Sequence, residues 1–259
     1  MSDPQSARAL VLALIAGLST LLGACVIFFS RAKSEKLLSA SLGFAAGVMI
    51  SVSTIDLYPH ARALFVRGHD VRVATLLAVG YLALGLCAAF ALDFFVPHDA
   101  FDEKTGAVPH KDLFRVGFIS TMAIALHNFP EGIATFMAGY DDLALGASIA
   151  LAISMHNVPE GISVAMPIYY ATGSRRKAFL YALYAALAEP IGGLIAFSLL
   201  RPFISDMLMG AVFASISGIM IYISIEELIP SSRQYGFARI GLFATLVGFC
   251  LMPLSHVLF

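Results

Sequence analysis

The chain is 259 residues long, 59% hydrophobic and only 13% charged, with a formal net charge of −1 and a mean hydropathy of +0.86. So much apolar surface excludes a soluble globular domain, and so balanced a charge gives no sign of a nucleic-acid partner. Trp is absent, so anchoring at the membrane interfaces falls to Tyr, Phe, Lys and Arg.

Eight apolar segments reach membrane-spanning length: 8–29, 37–58, 73–96, 115–138, 143–168, 176–199, 206–229 and 237–258. Each holds 22 to 26 residues, enough to cross an apolar layer about 30 Å thick with some tilt. The expectation is an all-α polytopic membrane protein forming one transmembrane domain over residues 1–259. The N-terminal MSDPQSARAL has neither a basic leader nor a small-residue cleavage pattern, so the first span reads as retained. Cys25, Cys87 and Cys250 fall inside apolar segments without metal-type spacing and read as packing residues.

The second span ends in STIDLYP, residues 53–59, which fits S-x-x-[DE]-L-x-P. The connection 97–114 is the longest and most polar; its His98 and His110, twelve apart among acids, read as ordinary loop residues.

The fourth and fifth spans carry HNFPEG at 127–132 and HNVPEG at 156–161, with flanks alike enough to be copies of one element. In a helix His127, Asn128 and Glu131 share one face, and His156, Asn157 and Glu160 repeat the arrangement. Pro130 and Pro159 lack an N–H, which leaves the carbonyls of Leu126 and Met155 bare and bends each helix there. Imidazole, carboxylate and amide oxygen converging on one point suit a divalent cation of borderline hardness. Either motif alone reads as packing residues beside a kink. Two copies, each with a mid-membrane carboxylate, favour metal binding, because such groups are costly. The short turn near 139–142 makes the two spans antiparallel and brings both motifs to a similar depth. Glu189, in AALAEPIGG of the sixth span, lies at that depth too and reads as a further ligand.

The seventh span ends in SIEELIP, residues 224–230, a second match to the pattern at 53–59. Spans 1–3 and 6–8 are then inverted copies flanking the central pair, a 3+2+3 arrangement. On that reading Asp56 and His60 sit at the outer mouth of a pathway, and Glu226 and Glu227 at the inner one. Eleven Lys and Arg residues lie in the connections after spans 1, 3, 5 and 7, against five on the other side. The excess marks the first set as cytoplasmic and puts both termini outside.

Together with SLGFAAGVM in the second span and YATGS at 170–174, these motifs resemble the ZIP family of divalent metal transporters over nearly the whole chain. The resemblance implies eight helices, outward termini, a central metal site and movement of metal toward the cytoplasm across the inner (plasma) membrane. It implies that His127, Asn128, Glu131, His156, Asn157, Glu160 and Glu189 are ligands, with Glu131 and Glu160 bridging two adjacent ions. Met49 falls where some members place a ligand. Asp56 stands where bacterial zinc-transporting members have Glu.

The reading is an importer working by alternating access, with Zn2+ foremost and Fe2+, Mn2+, Co2+ and Cd2+ as further candidates. Ligands without thiolate argue against Cu(I). The metal is cargo, not a cofactor; lipid is the solvent partner and a homodimer is compatible with the sequence. The alternatives are a selective metal channel and a membrane-embedded binuclear metalloenzyme. HNxPEG is not the zinc-protease motif, since its acid stands four residues past the His.

Overall fold

Lipid offers the backbone no hydrogen bonds, so apolar spans must close their own, and these do so as helices. A computed structural model describes residues 4–29, 34–95, 110–200 and 205–258, among which no strand occurs. Eight rods follow in chain order. Helix α1 is Pro4–Ala24, with a short turn Val26–Phe29 after it; α2 is Glu35–Val66, α3 Val71–Phe95 and α4 His110–Asp141. Helix α5 is Leu143–Thr172, α6 Arg175–Ile195 continuing through Ala196–Leu200, α7 Asp206–Arg233 and α8 Ala238–Leu258.

Local signals set several ends. The hydroxyls of Ser34, Ser174 and Ser205 cap α2, α6 and α7 by accepting from the amides of Leu37, Lys177 and Leu208. Gly173, at φ 68°, takes the left-handed position that closes α5.

Among the described residues five rods are long and apolar enough to cross a membrane on those grounds alone: α1, α2, α6, α7 and the Val71–Ala91 stretch of α3. Helices α4 and α5, at 32 and 30 residues, carry the polar motifs and pack against one another and against α1 and α6.

Helices α2 and α7 overrun the predicted spans 37–58 and 206–229, continuing through Pro59 and Pro230. The cause is a π-helical segment before each proline, Val52–Leu57 in α2 and Ser224–Leu228 in α7. There the amide of Tyr58 donates to the Ser53 carbonyl and that of Ile229 to the Ser224 carbonyl. The wider turn absorbs the donor that proline lacks. Both segments coincide with S-x-x-[DE]-L-x-P, and the first hydroxyl of each donates 2.7 Å back along its own helix, Ser53 to Met49 and Ser224 to Met220.

The helices form two bundles, α1, α4, α5 and α6 in one and α2, α3, α7 and α8 in the other, meeting along α2–α5 and α4–α7. An exchange of α1 with α6, α2 with α7, α3 with α8 and α4 with α5 maps these contacts onto themselves. Glycines give the register. Gly132 of α4 abuts the Glu189 carbonyl of α6, and Gly192 of α6 abuts that of Phe129; Gly161 of α5 abuts the Thr20 carbonyl of α1, and Gly23 of α1 that of Val158. In the other bundle Gly47 of α2 meets Thr245 of α8 and Gly248 meets Phe44, as Gly218 of α7 meets Leu82 of α3 and Gly85 meets Ser215. Each exchange shifts by an odd number of helices, five or one, which reverses direction across the membrane, so the two halves are inverted.

Close approach of this kind leaves no space for a methyl group. Gly161→Ala is expected to lower stability by about 1–3 kcal/mol through backbone displacement. Thermal melting in detergent checks it, with Gly80→Ala as control, since a Cβ at Gly80 meets nothing within 4 Å.

Candidate metal site

The HNxPEG motifs lie in unbroken helix, with Pro130 and Pro159 inside α4 and α5. The motif glycines bring α6 and α1 against the flanks of this pair. His127, Asn128, Glu131, Asn157, Glu160 and Glu189 are all at most 3% exposed.

His127 Nε2 lies 3.2 Å from Glu131 Oε1 on its own helix and 3.5 Å from Glu160 Oε1 on α5. Asn157 Nδ2 donates to Glu189 Oε2 on α6 at 2.9 Å and to the Ala16 carbonyl on α1 at 2.8 Å. Asn128 Nδ2 donates to the Ala185 carbonyl on α6 at 3.2 Å. The two asparagines therefore do equivalent things, each tying its helix to a flanking one. With the NH2 groups so committed, each amide keeps its oxygen for another partner.

Asn128 Oδ1, Asn157 Oδ1 and Glu189 Oε1 are buried and have no hydrogen-bond partner among the described residues. Acceptors left bare in an apolar interior cost free energy that a cation recovers. The donors on hand are imidazole nitrogen and carboxylate and amide oxygen, a set suited to borderline and hard divalent ions. Among the described residues no three His, Cys, Asp or Glu side chains already close on one point. The His156 backbone sits in α5 one turn before Glu160, and its side chain lies outside the described residues.

The other sequence candidates are placed as follows. Met49 is fully buried in the main apolar cluster. Asp56 is half-buried in the π-helical segment of α2. His60 is exposed, its ring edge-on to Phe213 at 5.3 Å between centroids. Glu226 is exposed, whereas Glu227 is buried and pairs with Arg115 of α4 at 2.8 Å across the bundle boundary. His98 lies outside the described residues, and His110 opens α4 with its side chain outside them.

Sequence reasoning counted Arg115 only as a connection cation. The available signal was its place at the edge of an apolar run, twelve residues before His127 and so about 18 Å along the helix. Buried hydroxyls without hydrogen-bond partners among the described residues, at Thr20, Ser51, Ser120 and Thr135, also escaped it.

An inverted-repeat helical bundle with buried imidazole, carboxylate and amide groups between its central helices is the construction of a multi-pass membrane transporter. A family model described as "ZIP Zinc transporter" matches residues 98–255. The chain is 40% identical over 256 residues to a zinc transporter ZupT of Streptococcus mutans, covering 97% of each chain. It is 43% identical over 257 residues to a zinc transporter ZupT of Chlorobaculum parvum, covering 96% of each. A zinc transporter ZupT of Nitratidesulfovibrio vulgaris is 40% identical over 275 residues, covering 100% of this chain and 99% of its own. The chain belongs to the ZIP family; it is a transporter and not an enzyme.

Proposed function

We propose that this protein carries divalent cations, Zn2+ foremost, into the cytoplasm across the inner (plasma) membrane through one transmembrane domain spanning the chain. Fe2+, Mn2+, Co2+ and Cd2+ are further candidate cargoes. The observation that carries the reading is the buried set formed by His127, Asn128, Glu131, Asn157, Glu160 and Glu189, in which oxygens of Asn128, Asn157 and Glu189 have no hydrogen-bond partner among the described residues. These residues, with His156, replace the ion's hydration shell at mid-depth. Their three carboxylates carry one negative charge more than a single divalent ion neutralises and one fewer than two ions do, which suits one or two bound cations. Met49 is a weaker ligand candidate. Asp56 and His60 belong to the outer mouth, Glu226 and Glu227 to the inner.

The two-bundle division supports alternating access, because the seven His, Asn and Glu residues of the site lie in the bundle of α1, α4, α5 and α6 and can be exposed to either side as that bundle shifts. Zn2+ uptake into proteoliposomes tests the function. Saturable uptake accelerated by trans-side metal is expected of a carrier; uptake without such acceleration means a channel.

The basic-residue asymmetry predicts orientation. Single cysteines in the 97–114 connection should react with an impermeant thiol reagent only after the cytoplasmic face is opened, and C-terminal ones in intact cells. The reverse pattern would swap the mouths assigned to Asp56 and Glu227.

A further inference from the structure

Three carboxylates serve the site from α4, α5 and α6, and no residue from α1 has been given a part. Helix α1 nevertheless stands to α5 as α6 stands to α4. The Ala16 carbonyl accepts from Asn157 as the Ala185 carbonyl accepts from Asn128. One turn further on, the Thr20 carbonyl abuts Gly161, the residue after Glu160, as the Glu189 carbonyl abuts Gly132, the residue after Glu131. Gly23 and Gly192 then make the matching contacts with α5 and α4. Three contacts in one register make Thr20 the counterpart of Glu189. The crossing is tight as well, since a Cβ on Gly17, one turn before Thr20, would lie 3.1 Å from the Cβ of Glu189.

The hydroxyl of Thr20, like those of Ser51, Ser120 and Thr135, has no hydrogen-bond partner among the described residues, and for Thr20 the packing gives the reason. A Ser or Thr buried in an apolar helix ordinarily donates to the carbonyl four residues back. Thr75, Thr121, Thr172 and Thr245 all do so here, at 2.6–2.9 Å. For Thr20 that acceptor is Ala16, whose carbonyl already receives Asn157 Nδ2 at 2.8 Å and the Ser19 hydroxyl at 2.6 Å. Thr20 is completely buried, and its Oγ1 has no hydrogen-bond partner among the described residues. On the other side of the two-fold, Glu189 reaches Asn157; Thr20 is two bonds shorter, and both its own oxygen and that of Asn128 remain without a hydrogen-bond partner.

We infer that Thr20 is an oxygen donor to the transported cation, the neutral counterpart on α1 of the Glu189 carboxylate on α6. This rests on the central-site reading and deepens it. A hydroxyl adds a hard donor without charge, so the halves of the site differ by one negative charge and an ion is held more tightly on the Glu189 side.

The test is Zn2+ uptake by reconstituted Thr20→Val, which keeps the shape and removes the oxygen, beside Thr20→Ser, which keeps the oxygen. The expected result is a half-saturating Zn2+ concentration raised about tenfold in the Val variant and near wild type in the Ser variant. Competition by Cd2+, which depends less on a hard oxygen, should strengthen in the Val variant. Metal-free melting establishes folding, and Thr20→Ala replaces Thr20→Val with the same expectation if the latter does not fold. Unchanged half-saturation and unchanged Cd2+ competition in the oxygen-free variant overturn the inference, as does a Ser variant as impaired as the Val variant. Glu160→Gln separates the failures. If it abolishes uptake while Thr20→Val changes nothing, the central site stands and only the role of Thr20 falls. If Glu160→Gln leaves uptake intact, both fall.

Discussion

Uptake should fall by about a hundredfold or more in Glu131→Gln and in Glu160→Gln, beyond what loss of a merely orienting residue costs. Each substitution keeps side-chain size and removes one charge from a set that must neutralise a divalent ion in low dielectric. Both carboxylates stand beside His127, at 3.2 and 3.5 Å, so either change alters the ion's surroundings from α4 and α5 together. Glu189→Gln should be milder, losing about tenfold. Its amide oxygen can still accept from Asn157, so the α5–α6 tie survives while the charge is lost. The measurement is initial-rate Zn2+ uptake at matched reconstituted protein. Wild-type rates in Glu131→Gln or Glu160→Gln would move the site elsewhere.

Arg115→Met should destabilise the protein by about 3–5 kcal/mol, because it takes the guanidinium away from a buried carboxylate. The two side chains are 13% and 5% exposed and 2.8 Å apart, so solvent does little to relieve the survivor. Arg115→Met combined with Glu227→Met should recover most of the loss, since a well-packed apolar pair avoids desolvating either charge. Thermal melting of the single and double variants in detergent decides it. Additive losses would mean that the two residues act independently. Because the pair spans α4 and α7, it is also a contact that the proposed movement between the bundles would break, and the double variant should show altered uptake as well as recovered stability.

Much of this molecule could be read along the chain. Eight apolar runs became helices because unpaired backbone groups are intolerable in lipid and a helix satisfies them locally. The duplicated HNxPEG motifs announced a pair of equivalent helices, and the weak S-x-x-[DE]-L-x-P match marked two π-helical segments that no local propensity would have forecast. His127, Asn128 and Glu131 could be assigned to one face from their spacing alone. What tertiary structure decided was which partners meet across helices. Glu227 read as a mouth carboxylate and is an ion-pair partner of Arg115. Thr20 carried no signal in the sequence, and its importance rests on the Ala16 carbonyl being occupied by other donors. The physical reason lies in the range of the forces. Backbone pairing and helical spacing act over a few residues, so they are written locally. Contacts between helices depend on crossing register, set where glycines let distant backbones touch, and that register exists only once the helices are packed.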